Sequence, residues 1–369
     1  MTTLPPFALE RYFAKYEFKT KFVLSASDCE PLTMKELMAM ADEESLRLWD
    51  TLKLSYTETL GHPRLLEEIA HLYASVKPNQ ILVAAPEELI YIAMNVLLGK
   101  GDEVIVTAPA YQSLHELASS LGSKVVPWNL NVQEHGWSLD IDFLSRHITD
   151  KTKLIIINFP HNPTGHHIQS DELHAIIELA RKRNCWIFSD EMYRGAEYRP
   201  EDQLPAIADE YLRGISLWGL SKSFSLPGLR IGWLASQDAD FISRCSQFRD
   251  YLTICNSAPG EILALIALRS RVKILQRTRD IIRRNLAFAD GFFSGHSKDF
   301  SWLKPKAGSI AFPILRKQVS VEDFCENLVM KKNLLITPAS QFQFPGNHFR
   351  IGLGRDNFAE ALSILESSL

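Results

Sequence analysis

Between residues 80 and 235 the chain alternates short β-branched runs with stretches of helical periodicity, and few folds satisfy that alternation. The runs fall at 81–84, 103–107, 124–128, 154–157, 186–189, 214–217 and 230–235. Helical stretches at 87–98, 112–121, 139–147 and 170–183 separate most of them. This pattern predicts an α/β fold with a mostly parallel, seven-stranded sheet covered by helices on both faces. In such sheets the working loops lie beyond the carboxyl ends of the strands. Asn162, Asp190 and Lys222 each follow one of these runs, so the topology gathers an amide, a carboxylate and an amine at one edge.

The flanking segments read as a second, smaller unit. Leu9, Tyr12, Phe13 and Tyr16 have helical spacing, which predicts a short helix lying on a larger body. Thr33-Met34-Lys35-Glu36 is a capping-box pattern and predicts a helix through about Leu48; residues 62–74 return to helical periodicity. Residues 238–292 read as helical with an interruption at 255–260, and 261–293 reads as one long helix or two stacked ones. The remainder predicts strands near 310–314 and 334–337, a helix over 321–331 and a final helix from Asn357. A chain of 369 residues is long for one core and comfortable for two domains. The expected division is an arm with part of the small domain at 1–48, a large domain at 49–280 and a small domain at 281–369.

Composition narrows the function classes. A net charge of −4 provides no basic field for nucleic acid. The five cysteines are scattered, without metal-ligand spacing, and read as reduced thiols of a cytoplasmic protein. The start shows no signal-peptide pattern, and no apolar run approaches the roughly 20 residues a membrane helix needs.

The stretch richest in chemistry is Ser221-Lys222 and the loop after it, Ser223-Phe224-Ser225-Leu226-Pro227-Gly228-Leu229-Arg230. A lysine between small hydroxyl residues opens a Gly/Pro turn that ends on an arginine. That suits an amine condensed with an aldehyde, beside a cation for a nearby phosphate. Upstream, Asn162-Pro163-Thr164-Gly165 and Asp190-Glu191-Met192-Tyr193 add an amide, a carboxylate and a phenol, and a pyridoxal phosphate ring needs those groups. Alone, the Ser-Lys pair would be a solvated surface lysine and Asn-Pro-Thr-Gly a plain turn.

Together the three stretches resemble the class I/II aminotransferases of the fold-type I pyridoxal phosphate enzymes, over nearly all of residues 33–360. The resemblance implies pyridoxal 5'-phosphate as cofactor, α-amino acid and 2-oxo acid substrates, and a homodimer with shared active sites. Lys222 matches the lysine that forms the Schiff base and, once freed, moves a proton as base and acid. Asp190 matches the carboxylate facing the pyridine nitrogen, although an aspartate there also suits an N-cap. Asn162 and Tyr193 match the pair that bonds the ring phenolate oxygen. Arg230 and Ser221 match phosphate ligands, with Ala85 and Glu87 at a helix N-terminus completing the cup. Two departures stand in this cup: Gly219 where a serine is frequent, and Pro86, which lacks an N–H. Tyr111 takes the place of the aromatic that stacks on the ring, or is a core tyrosine. Arg350, in Phe349-Arg350-Ile351-Gly352, matches the arginine that holds the substrate α-carboxylate. Tyr56, five residues before Gly61, matches the tyrosine that reaches the neighbouring subunit's phosphate.

The outcome after Cα deprotonation stays open at this point. The leading expectation is transamination. The N-terminal arm, the Tyr56 loop, Ala85-Pro86-Glu87-Glu88 and Phe159-Pro160-His161-Asn162 also resemble the subgroup containing capreomycidine synthases and oxygen-using arginine oxidases. In that case Glu10, Glu17 or Asp28 pairs with a guanidinium, with Glu17 the substrate-binding candidate; otherwise these carboxylates form a solvated face. A non-enzymatic regulator would need a basic DNA-binding domain ahead of the shared pattern, which starts within the first 60 residues. No Gly-x-Gly-x-x-Gly follows the first strand, against a Rossmann nucleotide enzyme.

Overall fold

The computed structural model describes residues 4–134 and 136–369. Its centre is a sheet whose strands, numbered within it, are β1 (Ile81–Ala84), β2 (Glu103–Ala108), β3 (Lys124–Gln133), β4 (Gly136–Leu139), β5 (Thr152–Asn158), β6 (Trp186–Asp190), β7 (Gly214–Gly219) and β8 (Gly232–Ala235). The spatial order is β1-β8-β7-β6-β5-β2-β3-β4. Six strands run in parallel; β8 is antiparallel to β1 and β7, and β4 to β3. Ile155, Ile187 and Leu217 are fully buried because both faces carry helices, as a parallel sheet requires.

The sheet has eight strands, not the expected seven. The run expected at 124–128 continues to Gln133 and turns into β4, and the helix expected from residue 139 begins at Ile141. Polar Asn129, Asn131 and Gln133 alternate with Trp128, Leu130 and Val132, the signature of an edge hairpin with one wet face.

Other boundaries moved for local reasons. The helix expected over 33–48 is two, Met34–Met38 and Glu43–Asp50; Asp42 caps the second through Ser45 N–H. The first does close the expected capping box between Thr33 and Glu36. Residues 261–293 resolve into the two-helix alternative, Ala258–Arg269 and Arg271–Gly295. The strands expected near 310–314 and 334–337 each break into two-residue pieces. The strand expected from Arg230 starts at Gly232, because Arg230 itself takes a left-handed conformation (φ 55°). Among the described residues no helix is long and apolar enough to cross a membrane.

The N-terminal segment is built into the second unit. Phe22–Val23 pairs in parallel with Leu334–Leu335, and Phe349–Gly352 pairs antiparallel with both Ile310–Ala311 and Thr337–Pro338. Ser25 N–H donates to Leu335 O at 3.0 Å and Gly352 N–H to Leu24 O at 2.6 Å. The backbones meet so closely that a Cβ at Gly352 would stand 1.6 Å from the Ala26 carbonyl oxygen. Gly352→Ala should therefore push residues 24–27 off this unit and cost about 3 kcal/mol or more, at the upper end of overpacking penalties. A denaturant midpoint equal to that of the parent would show that the segment docks elsewhere.

Candidate active site

Parallel β5, β6 and β7 end at one edge, with Asn158 opposite Asp190 and Asp190 opposite Leu217. Because β8 is antiparallel, its first residue, Gly232, lies at that same edge beside Gly219 and Ala84. The loops bearing Asn162, Asp190, Lys222, Arg230 and Ala85 thus arrive together. Gly219 is explained here: a Cβ on it would lie 2.9 Å from Gly232 Cα and 3.0 Å from Ile231 O, so the serine frequent in relatives has no room. Asn158 ties two of the loops, its Nδ2 donating to Asp190 O and its Oδ1 accepting from Asn162 N–H, both at 2.8 Å. It directly follows the apolar run Leu154–Ile157, which is its only signal in the sequence.

Lys222 Nζ donates to Ser27 Oγ at 2.9 Å. Burial lowers its pKa from the usual lysine value; Asp28 and Glu10 oppose that, while Arg350 and Arg230 add to it. Asp190 is buried, and burial pushes its carboxyl up to about 7; Glu191 adds to the rise, and the Met192 N–H and Lys222 work against it. Its Oδ1 accepts from Met192 N–H at 3.1 Å, so the local capping role is realised as well. Tyr193 is buried, which raises its phenol above the ordinary range. Its Oη makes no hydrogen bond of good geometry among the described residues, though the Ser27 hydroxyl is near enough to offset part of that rise.

Arg350 is 1 % exposed. Its Nη1 donates to Asn162 Oδ1 and its Nη2 to Ser25 O, both at 3.1 Å, and its Nε has no partner among the described residues. The guanidinium carbon lies 5.6 Å from the Phe13 ring centre and 5.1 Å from that of Phe342. A buried cation without a carboxylate in contact is costly, and stacking on two rings offsets part of that cost. Ser221 Oγ is likewise buried and unpartnered among the described residues.

Helix Pro86–Leu97 starts at this edge with Ala85 as N-cap and proline in the first position. Glu87 accepts from Ser113 Oγ at 3.2 Å, and burial raises its carboxyl to about 7, with Glu10 and Asp190 adding to the effect. Arg230 is exposed, and its Nη1 donates back to Pro227 O at 3.1 Å. Tyr111 is partly buried, packs on the Phe7 ring and donates to Glu10 Oε1 at 2.9 Å. Tyr56 is 86 % exposed, away from the lysine loop's own hydrogen bonds.

The N-terminal carboxylates do face the site. Helix Ala8–Tyr16 is fixed by Ala8 N–H to Gln112 Oε1 at 2.8 Å and by Tyr12 Oη to Ile336 O at 2.9 Å. It carries Glu10 and Phe13 toward Tyr111 and Arg350. Asp28 receives Arg355 Nη2 at 2.9 Å and 3.1 Å on its two oxygens. Glu17 is partly buried; burial, Asp28 and Glu10 raise its pKa, and Arg355 and Lys222 lower it. Sequence reasoning missed Ser25, Ser27 and Phe342, which reach the site only through long-range packing.

The donor set fits a pyridoxal phosphate. Unpartnered Ser221 Oγ and Tyr193 Oη, a buried carboxylate and an amine of lowered pKa are the groups such a ring and phosphate take. The comparisons agree. The family described as aminotransferase class I and II matches residues 19–363, and the chain belongs to it. It is a pyridoxal phosphate-dependent aminotransferase acting on amino acid and 2-oxo acid substrates. A crystal structure of a PLP-dependent aminotransferase from Streptococcus suis superposes with a TM-score of 0.93 at 31% identity, covering 100% of this chain and 98% of that one. Capreomycidine synthase of Streptomyces vinaceus is 29% identical over 95% of this chain and 89% of its own length. The PLP-dependent cyclase OrfR superposes with a TM-score of 0.91 at 26% identity, covering 100% and 97%.

The raised Asp190 pKa has a consequence for stability. An unfolded aspartate ionises near 3.9. Between that value and about 7 the folded carboxyl keeps a proton that the unfolded one has lost. Stability of the cofactor-free protein therefore falls as pH rises from about 4 to 7. Asp190→Asn should remove a loss on the order of a few kcal/mol over that window. Parallel denaturation curves for parent and variant from pH 4.5 to 8 would show that the carboxyl is already ionised.

Proposed function

We propose that this aminotransferase takes its amino group from an α-amino acid whose side chain ends in a cation, working as a cytoplasmic homodimer. The observation that carries the substrate reading is Glu17. Its carboxylate is partly buried near Lys222 and has no ion pair or hydrogen bond among the described residues. Its neighbours differ: Glu10 is held by Tyr111 and Asp28 by Arg355. A carboxylate whose ionised form is disfavoured by burial and by like charges gains from a cation brought beside it. The similarity to capreomycidine synthase supports the same reading.

Each site residue then has a task. Arg350 takes the substrate α-carboxylate, whose charge the buried guanidinium lacks. Lys222 would hold the cofactor covalently and, when free, would take a proton from Cα and return one; burial favours the neutral amine this needs. Asp190 holds a proton at the ring nitrogen, and Asn162 and Tyr193 bond the ring oxygen. Ser221, Arg230 and the Ala85–Glu87 turn would hold the phosphate, and Tyr111 would pack on the ring. The cofactor supplies the electron sink that lets the Cα proton leave. Tyr56, exposed in this chain, reaches the neighbouring subunit's phosphate. The division at 1–48, 49–280 and 281–369 belongs to the same proposal, supported by a central sheet that lies wholly within 81–235.

Lys222→Ala should abolish turnover with any amino acid, and retained activity would end the reading. Glu17→Gln should raise KM for arginine or lysine roughly tenfold or more and leave KM for a neutral amino acid unchanged; an equal change for both would remove Glu17 from substrate recognition. Tyr56→Phe should weaken cofactor retention, measured by equilibrium dialysis, if the hydroxyl crosses to the partner.

The same carboxylate supports a second reading, oxidation or cyclisation of a guanidino amino acid after the shared deprotonation. Incubation with arginine alone, under an oxygen electrode, separates the two. Cofactor conversion to the amine form without oxygen uptake supports transamination; steady oxygen uptake, or a cyclic product without a 2-oxo acid, replaces it.

A further inference from the structure

We propose that Ser27 is a positioning residue for Lys222: its hydroxyl oxygen accepts an N–H of the free lysine amine and fixes where that amine stands while it carries the proton. The contact is direct, Nζ to Oγ at 2.9 Å, and it is the hydrogen bond that Lys222 Nζ makes among the described residues.

What makes Ser27 a fixed point is its backbone. Ser25 and Ala26 are buried, and residues 22–25 are hydrogen-bonded to residues 333–335. The Gly352 contact clamps Ala26, and Ser309 Oγ donates to Ser27 O at 2.6 Å. Glu30 N–H donates to Gly354 O at 2.8 Å on the other side. A serine held this way has one remaining torsion, so its Oγ serves as an anchor rather than a mobile acceptor. Lys222, by contrast, is a long, flexible side chain that loses rotamer freedom when it is held. Holding it in one place at the moment of transfer is the kind of positioning that governs rate.

The proton balance leaves Ser27 unchanged. The neutral amine accepts the Cα proton on its lone pair while an N–H stays on Ser27 Oγ; the resulting ammonium then returns a proton. Because an acceptor favours the charged form of its donor, Ser27 also supports the ammonium half of the cycle. The charges around the amine are Glu10, Asp28 and Glu17 from the N-terminal segment, Asp190, and Arg230 and Arg350. Against these, loss of a neutral hydroxyl leaves net charge unchanged and touches, besides the amine, only the nearby Tyr193 phenol.

This inference rests on Lys222 being the proton carrier, and the test separates the two. Ser27→Ala and Ser27→Thr are compared with the parent and with Lys222→Ala by exchange of the substrate Cα hydrogen for solvent deuterium, followed by NMR across pH. The pKa of Lys222 in the cofactor-free chain is read in parallel from pH-dependent acetylation and mass spectrometry. Ser27→Ala should slow exchange roughly tenfold, lower the Lys222 pKa and leave amino acid KM near the parent value. Ser27→Thr, which keeps the hydroxyl, should restore both readouts. If Lys222→Ala abolishes exchange while Ser27→Ala matches the parent in rate and in Lys222 pKa, Ser27 has no such role. If Lys222→Ala itself exchanges normally, the underlying reading fails first. A Ser27→Ala loss shared by KM and cofactor affinity, and not restored by threonine, would assign Ser27 to packing alone.

Discussion

The structure turns on a buried cation, the Arg350 guanidinium, which draws three distant parts of the chain to one point. It comes from the strand Phe349–Gly352, bonds the side chain of Asn162 beyond β5, and bonds the backbone of Ser25 in the N-terminal segment. Helix Ala8–Tyr16 and the turn at Ala339–Phe342 then cover it with Phe13 and Phe342. Taking a guanidinium out of water costs several kcal/mol unless its donors are used. Nη1 and Nη2 are satisfied by neutral acceptors, which return hydrogen bonds without cancelling the charge. The site is therefore completed as a fold while its charge stays available to a carboxylate. Close packing of Gly352 on Ala26 belongs to the same arrangement, since any side chain there would part the two backbones that bring Ser25 to the guanidinium.

Around that cation the acids and bases are set by burial. Asp190 and Glu87 both rise to about 7, and Lys222 falls, without a strong pairwise partner for any of them. Desolvation comes first in each case; Glu10 then adjusts Glu87 and Lys222, Asp28 and Arg350 adjust Lys222, and Asp190 is adjusted by its own neighbours Lys222 and Glu191. The N-terminal segment thus acts twice. It excludes water, and it adds Glu10, Glu17 and Asp28 to an edge where Lys222 and Arg350 already supply positive charge. That balance is what the proposed function draws on, with a zwitterion held at one end and a second cation at the other.

Much of this was legible in the sequence, and the reason is topological. A parallel sheet places every loop after a strand at one edge, so the order Asn162, Asp190, Lys222 sufficed to bring them together before any distance was known. Arg350 and the arm carboxylates were recognisable by residue type, although their proximity depends on small-sheet pairings of two residues each, too short to show a period. The eighth strand, Gly136–Leu139, is four residues long and pairs only with the part of β3 beyond Trp128, so it shows no period of its own. Ser27 was invisible for another reason. In Leu24-Ser25-Ala26-Ser27 nothing distinguishes a serine that is buried structure from one that touches the lysine.

That last ambiguity has a physical basis. The backbone turns between Val23 and Ala26, where Ala26 N–H donates to Val23 O at 3.3 Å, so no strand alternation fixes from the sequence which way either serine faces. Ser25 is buried and offers its carbonyl to Arg350, whereas Ser27 stands partly open and offers its hydroxyl to Lys222. One short segment thereby contacts both the cation proposed to bind the substrate and the amine proposed to move its proton. A displacement of that segment moves both contacts at once, so the two proposed roles, binding and proton transfer, share a common mechanical support.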